Sequence, residues 1–478
     1  MSETHTATAV PEGGLRRSLG LKQLIGNGLV FIGPAAPVGI FGPIYAKSGG
    51  AVVTVYVVAT LIMALTAISY SQMSRVVPAA GSVYSYATAG IGRGAGFVAG
   101  WMVLLDYLLI PSVAFLFTGL AMHSFLPAIP AWVFTALAVL LTTGLNLAGG
   151  KSLARAAMAV VIAEVAVLAI VLVAALAAIA GSGIHQAPLS PIAGVDGFSL
   201  AAVLGAVSIA AMAFLGFDAI ATFAEEAKGS SRMVGKAMLA CLVIAGVLFL
   251  FQSYIVELIT VPSPAQLAAD PEAQGTAFYD TIRSQVAPWL ATLLGIAKAL
   301  GASFAGMMGL AAGSRVVMTM SRERRFPAVF GKVTRNGSAP ALATVLVTAV
   351  TLILAVWAAA EPDGLDLLSS TVSIGAMSAF ILLHASVIGY FLVKRKSRNR
   401  LVHLVVPVVG IVFFLLVIVF ANISALTVGV VWLVVGIAVA VIQHLRRRGT
   451  DAPLTDGPDT PAPAAGRAHD QKHDKTHD

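Results

Sequence analysis

Long apolar stretches separated by short polar ones dominate the chain. In windows of ~19 residues about twelve of them are long enough to cross a bilayer as helices, at roughly 22–45, 50–73, 95–122, 131–148, 156–181, 199–224, 234–260, 288–318, 340–359, 367–393, 402–420 and 425–445. Two of these stretches are interrupted. The first carries Gly33-Pro34 with Pro37 and Gly39 behind it, and the sixth carries Gly216 within Phe214-Leu215-Gly216-Phe217-Asp218. A membrane helix satisfies its own backbone, so a break at membrane depth survives only where it lines a protein-enclosed cavity. Interruptions at matching positions five spans apart are what two inverted five-helix repeats produce, with a solute site at their interface. The expected organisation is a tail over 1–21 and a twelve-helix domain over 22–445. Within that domain the repeats are near 22–181 and 199–393, with two added helices over 402–445. A polar, Pro- and Ala-rich tail over 446–478 cannot bury a core.

Composition agrees with a membrane-embedded chain. Of the 478 residues 58% are hydrophobic and only 11% charged, too few charges to coat a soluble particle of this size. The mean hydropathy is +0.90. The first apolar stretch is long enough to span and is followed by many more, so no cleaved signal peptide is expected. The single cysteine, Cys241, excludes an internal disulfide.

Lys and Arg set the orientation. With the N-terminus in the cytoplasm, the inner loops hold Arg16, Arg17, Lys22, Arg75 and Arg93, and later Lys228, Arg232, Lys236, Arg322, Arg324, Arg325 and Lys394 to Lys396. The outer loops keep only Lys47 and Arg283, against Asp196, Asp270, Glu272, Asp280, Glu361 and Asp363. Both termini are therefore expected in the cytoplasm, in a multi-pass protein of the cell inner (plasma) membrane. The net charge of +8 is distributed by topology and gathered on no one face, so nucleic acid is not an expected partner.

Embedded ionisable residues are expensive in hydrocarbon and mark function. Asp106 lies about a dozen residues into the third span, ~18 Å from its cytoplasmic end. It is the first candidate to bind an ammonium group, with Tyr107 beside it; the bland reading is a structural pair with a neighbouring helix. Asp218 either contacts a solute or caps the half-helix after the break. Glu225 and Glu226 either gate the cytoplasmic end with Arg or Lys or form a solvated terminus, the reading that suits Glu226 better. Glu164 in span five, Lys298 in span eight and His384 in span ten are candidates to pair or to carry a coupling proton, His384 more commonly as a packing residue.

Other motifs carry little. The glycine-rich Gly90 to Gly96 follows no strand, so no nucleotide cofactor is expected. His469, His473 and His477 recur every four residues in a tail too polar to fold, so no metal site is expected. No nucleophile–base or paired-histidine constellation supports a membrane-embedded enzyme, and no catalytic residue is assigned.

The motifs Pro78-Ala79-Ala80-Gly81-Ser82-Val83-Tyr84-Ser85-Tyr86, Gly96-Phe97-Val98-Ala99-Gly100-Trp101, Asp106-Tyr107, the sixth-span segment through Glu225-Glu226, and Ser314-Arg315 through Phe326-Pro327 resemble those of the amino acid–polyamine–organocation permeases. The similarity runs over 20–445 and is nearest to bacterial putrescine importers; Gly26-Asn27-Gly28 only approximates the first-span glycine motif of many amino-acid permeases. The resemblance implies the LeuT-type fold with helices one and six broken. It also implies secondary active import of an amine-containing solute, a polyamine such as putrescine or an amino acid; H+ is the expected coupling ion, because a sodium site needs converging hydroxyls and carbonyls and Ser303 alone does not make one. An exchanger of the same fold is the alternative. The solute would meet Phe31, Ile32, Gly33, Pro34, Asp106, Tyr107, Phe214, Leu215, Gly216, Phe217 and Asp218, with Glu225 at a gate.

One outcome follows from the charge asymmetry. A cysteine placed in the 263–285 loop should react with impermeant thiol reagents from outside, and tags at both termini should be accessible only from the cytoplasm. Labelling with the opposite polarity would overturn the orientation.

Overall fold

The computed structural model describes residues 17–450 apart from short segments at 127, 149–150, 229–231, 334–339, 362–363 and 420–422. It is almost entirely helical. The first span is α1 (Leu21–Ile32), a 3-10 turn (Ala36–Gly39) and α2 (Phe41–Ser48), bent by 56°. There follow α3 (Val52–Val76), the short α4 (Val83–Gly90), α5 (Arg93–Phe125), α6 (Ala131–Ala148) and α7 (Lys151–Ser182). After the short α8 (Ser190–Ala193), the sixth span is α9 (Leu200–Ala213) and a 3-10 helix (Asp218–Glu226). Then come α10 (Arg232–Leu258), three loop helices α11 (Pro264–Ala269), α12 (Pro271–Gln274) and α13 (Ala277–Gln285), and α14 (Pro288–Arg322). The chain closes with α15 (Ala341–Ala360), α16 (Gly364–Val387), α17 (Val406–Val419) and α18 (Ile423–Thr450).

Among the described residues nine helices are long and apolar enough to cross a membrane, or ten if the bent first pair is one span; Ala131–Leu147 and Leu426–Ile442 are shorter apolar helices. Large side chains such as Leu61, Ile162, Val173, Val243, Ile353 and Val419 are exposed on the outside of the bundle, a surface that only hydrocarbon would cover favourably. The tails expected over 1–21 and 446–478 lie largely outside the described residues. α18 runs on to Thr450, past the expected last-span end at 445.

The packing has the symmetry of a five-and-five arrangement. The second and seventh spans pair (α3 with α10), as do the third and eighth (α5 with α14) and the fourth and ninth (α6 with α15). The first span leans on the seventh as the sixth leans on the second, and the fifth on the eighth as the tenth on the third. Each pairing maps onto itself or another when five is added to the span number. An odd number of crossings per repeat makes the two halves antiparallel, which is how inverted repeats arise. The helices beyond the repeats cover α16. α18 is also clasped to α5 by Trp101 and Trp432, whose rings stack at 4.6 Å while each indole N–H donates to the other residue's carbonyl at 2.8 Å.

Candidate functional site

The two interruptions meet. α1 stops at Ile32 because Gly33 sits at φ +75°, a left-handed conformation that suits glycine. In the sixth span Gly216 is at φ +114°, and a β-carbon there would lie 2.9 Å from Cγ of Phe31 and 3.2 Å from the Ile32 backbone nitrogen. The absent side chain at 216 is thus what lets one break approach the other.

Side chains from other spans satisfy the freed backbone. The Ala35 N–H donates to Oε1 of Glu164 at 3.3 Å, and Nε2 of Gln252 donates to the Pro34 carbonyl at 3.1 Å. Span five thus holds the amide side of the first break and span seven the carbonyl side. Gln252 had no place in the motif reading, although an uncharged amide in the middle of an apolar helix was the available signal. After the sixth-span break the chain winds as a 3-10 helix for nine residues. Such runs rarely exceed three or four residues, and long ones mark hinges.

Asp218 does not cap the helix that follows it, since no side chain caps that segment. It reaches back instead: Oδ1 accepts from the Gly216 N–H at 3.1 Å, and Oδ2 accepts from the hydroxyls of Tyr107 at 2.8 Å and Tyr70 at 3.5 Å. This carboxylate knots the second, third and sixth spans together. Asp106 differs. It is fully buried, and neither carboxylate oxygen has a hydrogen-bond partner among the described residues. Position 375 of α16 must be small beside it, because a β-carbon there would lie 3.1 Å from the Asp106 backbone nitrogen.

Beside the joined breaks lies a cavity of about 130 Å³. Of the residues singled out from the sequence, Phe31, Ile32, Gly33, Leu215, Glu164 and Lys298 line it; Pro34, Asp106, Tyr107, Phe214, Gly216, Phe217 and Asp218 do not. Phe214 packs against Tyr56 and Phe249, and Phe217 against Tyr70 and Phe380, behind the wall. Glu164 is seated in a notch opened by Gly301, where a β-carbon would lie 2.8 Å from both carboxylate oxygens.

The arginine-rich end of the bundle is tied together by ion pairs. Glu226, expected at a solvated terminus, is instead buried and paired with Arg315 at 2.5 Å, because Arg315 projects from α14 toward the end of the sixth span. The guanidinium also lies 4.3 Å above the Phe223 ring and donates to the Ala311 carbonyl. Glu225 is half-buried, paired with Arg322 at 3.1 Å and accepting from the Ala80 N–H at 3.3 Å. Ahead of the first span, the N–H groups of Ser18 and Leu19 donate to the Glu226 carbonyl at 2.8 and 2.9 Å, and Lys228 N–H donates to Leu19 at 2.8 Å. The entry to the first span and the exit from the sixth are therefore zipped into one unit, which ion pairs attach to α14. His384 is buried between spans, its ring nitrogens 2.9 Å from the Ser69 hydroxyl and 3.3 Å from that of Thr66. His469, His473 and His477 lie outside the described residues.

A many-span helical bundle with two facing helix breaks, a small cavity beside them and an end tied by ion pairs defines the class of membrane transporters. The amino acid permease family model matches residues 23–443, and the chain belongs to that family. It is 29% identical over 430 residues to the low-affinity putrescine importer PlaP of Escherichia coli, covering 88% of this chain and 92% of that protein. It is 27% identical over 472 residues to the branched-chain amino acid permease BcaP of Bacillus subtilis, covering 90% and 93%. With cationic amino acid transporter 3 of Arabidopsis thaliana it shares 26% identity over 393 residues, 78% of this chain and 60% of that protein. The chain is a multi-pass membrane transporter and not an enzyme.

The contact between the breaks makes a direct test. Gly216→Leu forces a side chain into Phe31 at a backbone angle that β-carbons rarely adopt, so solute uptake should fall ~100-fold or more, equivalent to at least ~2.7 kcal/mol. Membrane insertion and expression should persist. Uptake at the native rate in this variant would show that the two breaks need not touch.

Proposed function

We propose that this chain imports an amine-bearing solute, a polyamine such as putrescine or an amino acid, across the cell inner membrane by proton-coupled alternating access, with both termini cytoplasmic. The observation that carries the reading is the small apolar cavity at the joined breaks, with the Glu164 carboxylate on its wall. A carboxylate in a water-poor, apolar enclosure recognises an ammonium group by charge, and charge complementarity is the main source of selectivity in such a site. The relatives named for putrescine import and for amino acid transport point to the same solute class.

The way the parts are joined supports alternating access. The first and sixth spans share a backbone bridge at one end and touch at their breaks, so they move together. The Glu226–Arg315 and Glu225–Arg322 pairs tie that unit to α14 and act as the cytoplasmic gate. Opening toward the cytoplasm separates these ions, and water entering the gap solvates them as they part. The repeats over 22–181 and 199–393 supply the two halves of this motion.

Asp106 serves the coupling better than it serves the ammonium. It is one helical step behind the cavity wall, fully buried, next to Tyr107 and within electrostatic range of Asp218. A carboxyl with both oxygens unpartnered in that position requires a proton or a cation. Glu164 and Lys298 meet the solute, and His384, held between two hydroxyls, orders the packing.

The test is uptake of radiolabelled leucine and putrescine into proteoliposomes with and without an inward proton gradient. Accumulation of either solute should rise when the outside is acidified, and equal uptake without the gradient would remove proton coupling. Asp106→Asn keeps the shape and removes the ionisable group. Gradient-driven accumulation should fall ~10-fold or more, equivalent to at least ~1.4 kcal/mol, while solute exchange at equal pH continues. Normal gradient-driven accumulation by this variant would take Asp106 out of the coupling path.

A further inference from the structure

The cavity has two charged walls of opposite sign. Glu164 from α7 and Lys298 from α14 both line it, and the remainder is chiefly hydrocarbon, including Phe31, Ile40, Ile110, Val113, Phe117 and Met212. No ion pair joins Glu164 to Lys298 among the described residues, although each lies within the other's electrostatic reach. Glu164 is pinned, one oxygen on the Ala35 amide and the carboxylate in the notch at Gly301. The Lys298 ammonium makes no hydrogen bond or ion pair among the described residues and faces the same space.

We propose that this cavity selects a zwitterion with an apolar side chain, an aliphatic α-amino acid, over a diamine, with Lys298 receiving the carboxylate and Glu164 the ammonium. The inference rests on the cavity being the solute site. A zwitterion sets one charge against each charged wall and leaves both neutralised. A diamine brings two positive charges to a space that already holds an ammonium and offers one carboxylate. The second acid that a diamine would need is not there, because Asp106 and Asp218 are both off the cavity wall and fully buried. Like charges facing each other where water is scarce are strongly disfavoured, so Lys298 works as a rejecting element as well as a binding one. The apolar walls suit a branched hydrocarbon side chain, which gains by leaving water.

The experiment measures competition for radiolabelled leucine uptake in proteoliposomes by leucine, by 3-methylbutylamine (leucine without its carboxylate) and by putrescine, on the native protein and on Lys298→Gln and Lys298→Arg. On the native protein leucine should compete at least ~30-fold better than either amine. In Lys298→Gln the apparent affinity for leucine should fall ~10-fold or more while 3-methylbutylamine competes better than it does on the native protein, and Lys298→Arg should retain the preference for leucine. Putrescine uptake by the native protein with leucine ignored would overturn the proposal and leave amine import standing. Uptake of neither solute would overturn both. A Lys298→Gln protein that keeps its melting temperature and size-exclusion profile, yet favours leucine over 3-methylbutylamine as before, would show that Lys298 does not read the carboxylate. A loss of melting temperature with all competitors weakened alike, in both variants, would assign Lys298 to packing and also overturn the proposal.

Discussion

Hydrocarbon offers no hydrogen bonds, and the structure is organised around the two places where the backbone stops bonding to itself. At the first break the Ala35 amide and the Pro34 carbonyl are met by Glu164 and Gln252 from different spans. At the sixth the Gly216 amide is met by Asp218, which is itself held by Tyr107 and Tyr70. The first break is held by polar groups that other helices bring to its depth, and the second by its own Asp218, which the second and third spans keep in place. The fold and the site meet in Glu164, which holds the first break and also furnishes part of the polar wall of the cavity.

Mobility and rigidity are divided along the same lines. The hinge after Gly216 is a long 3-10 segment with weaker internal geometry than an α-helix, and it ends in two acids that pair with α14. Behind it stand the densely packed third and eighth spans, further braced on one side by the Trp101–Trp432 clasp. The Glu226–Arg315 pair is buried and reinforced by Phe223, so parting it without water would be unfavourable. An ion pair of this kind is held while dry and parts more easily where water can solvate the separated charges.

Charge inside the bundle is sorted by partner. Asp218 has hydrogen bonds and holds structure, Glu226 is paired with an arginine, Glu164 has a backbone amide and room beside it, and Asp106 has no partner among the described residues. Glu257, at the end of α10, is a further fully buried carboxylate; it lies against the Gly50 turn, 3.3 Å from where a β-carbon would be.

The sequence by itself determined the membrane-embedded helical class, most of the spans and the places of the breaks, because these depend on local quantities: apolar run length, and glycine and proline where a helix would otherwise continue. It also marked Gly33, Glu164 and Lys298, since a charged or flexible residue in hydrocarbon is conspicuous wherever it falls, and Phe31 and Leu215 as neighbours of the breaks. Only the tertiary structure decided which of the marked residues share a space. Asp106 and Glu164 look alike in a linear reading, both acids in mid-span, yet one is sealed behind the wall and the other faces the cavity. That difference is set by the rotation of each helix about its axis. The helices carrying these two acids are apolar nearly all round, so hydrophobic periodicity does not fix the rotation. It is fixed by packing against other spans, through contacts such as the Gly301 notch against Glu164 and the approach of Gly375 to the backbone of Asp106, whose partners lie far apart in the chain.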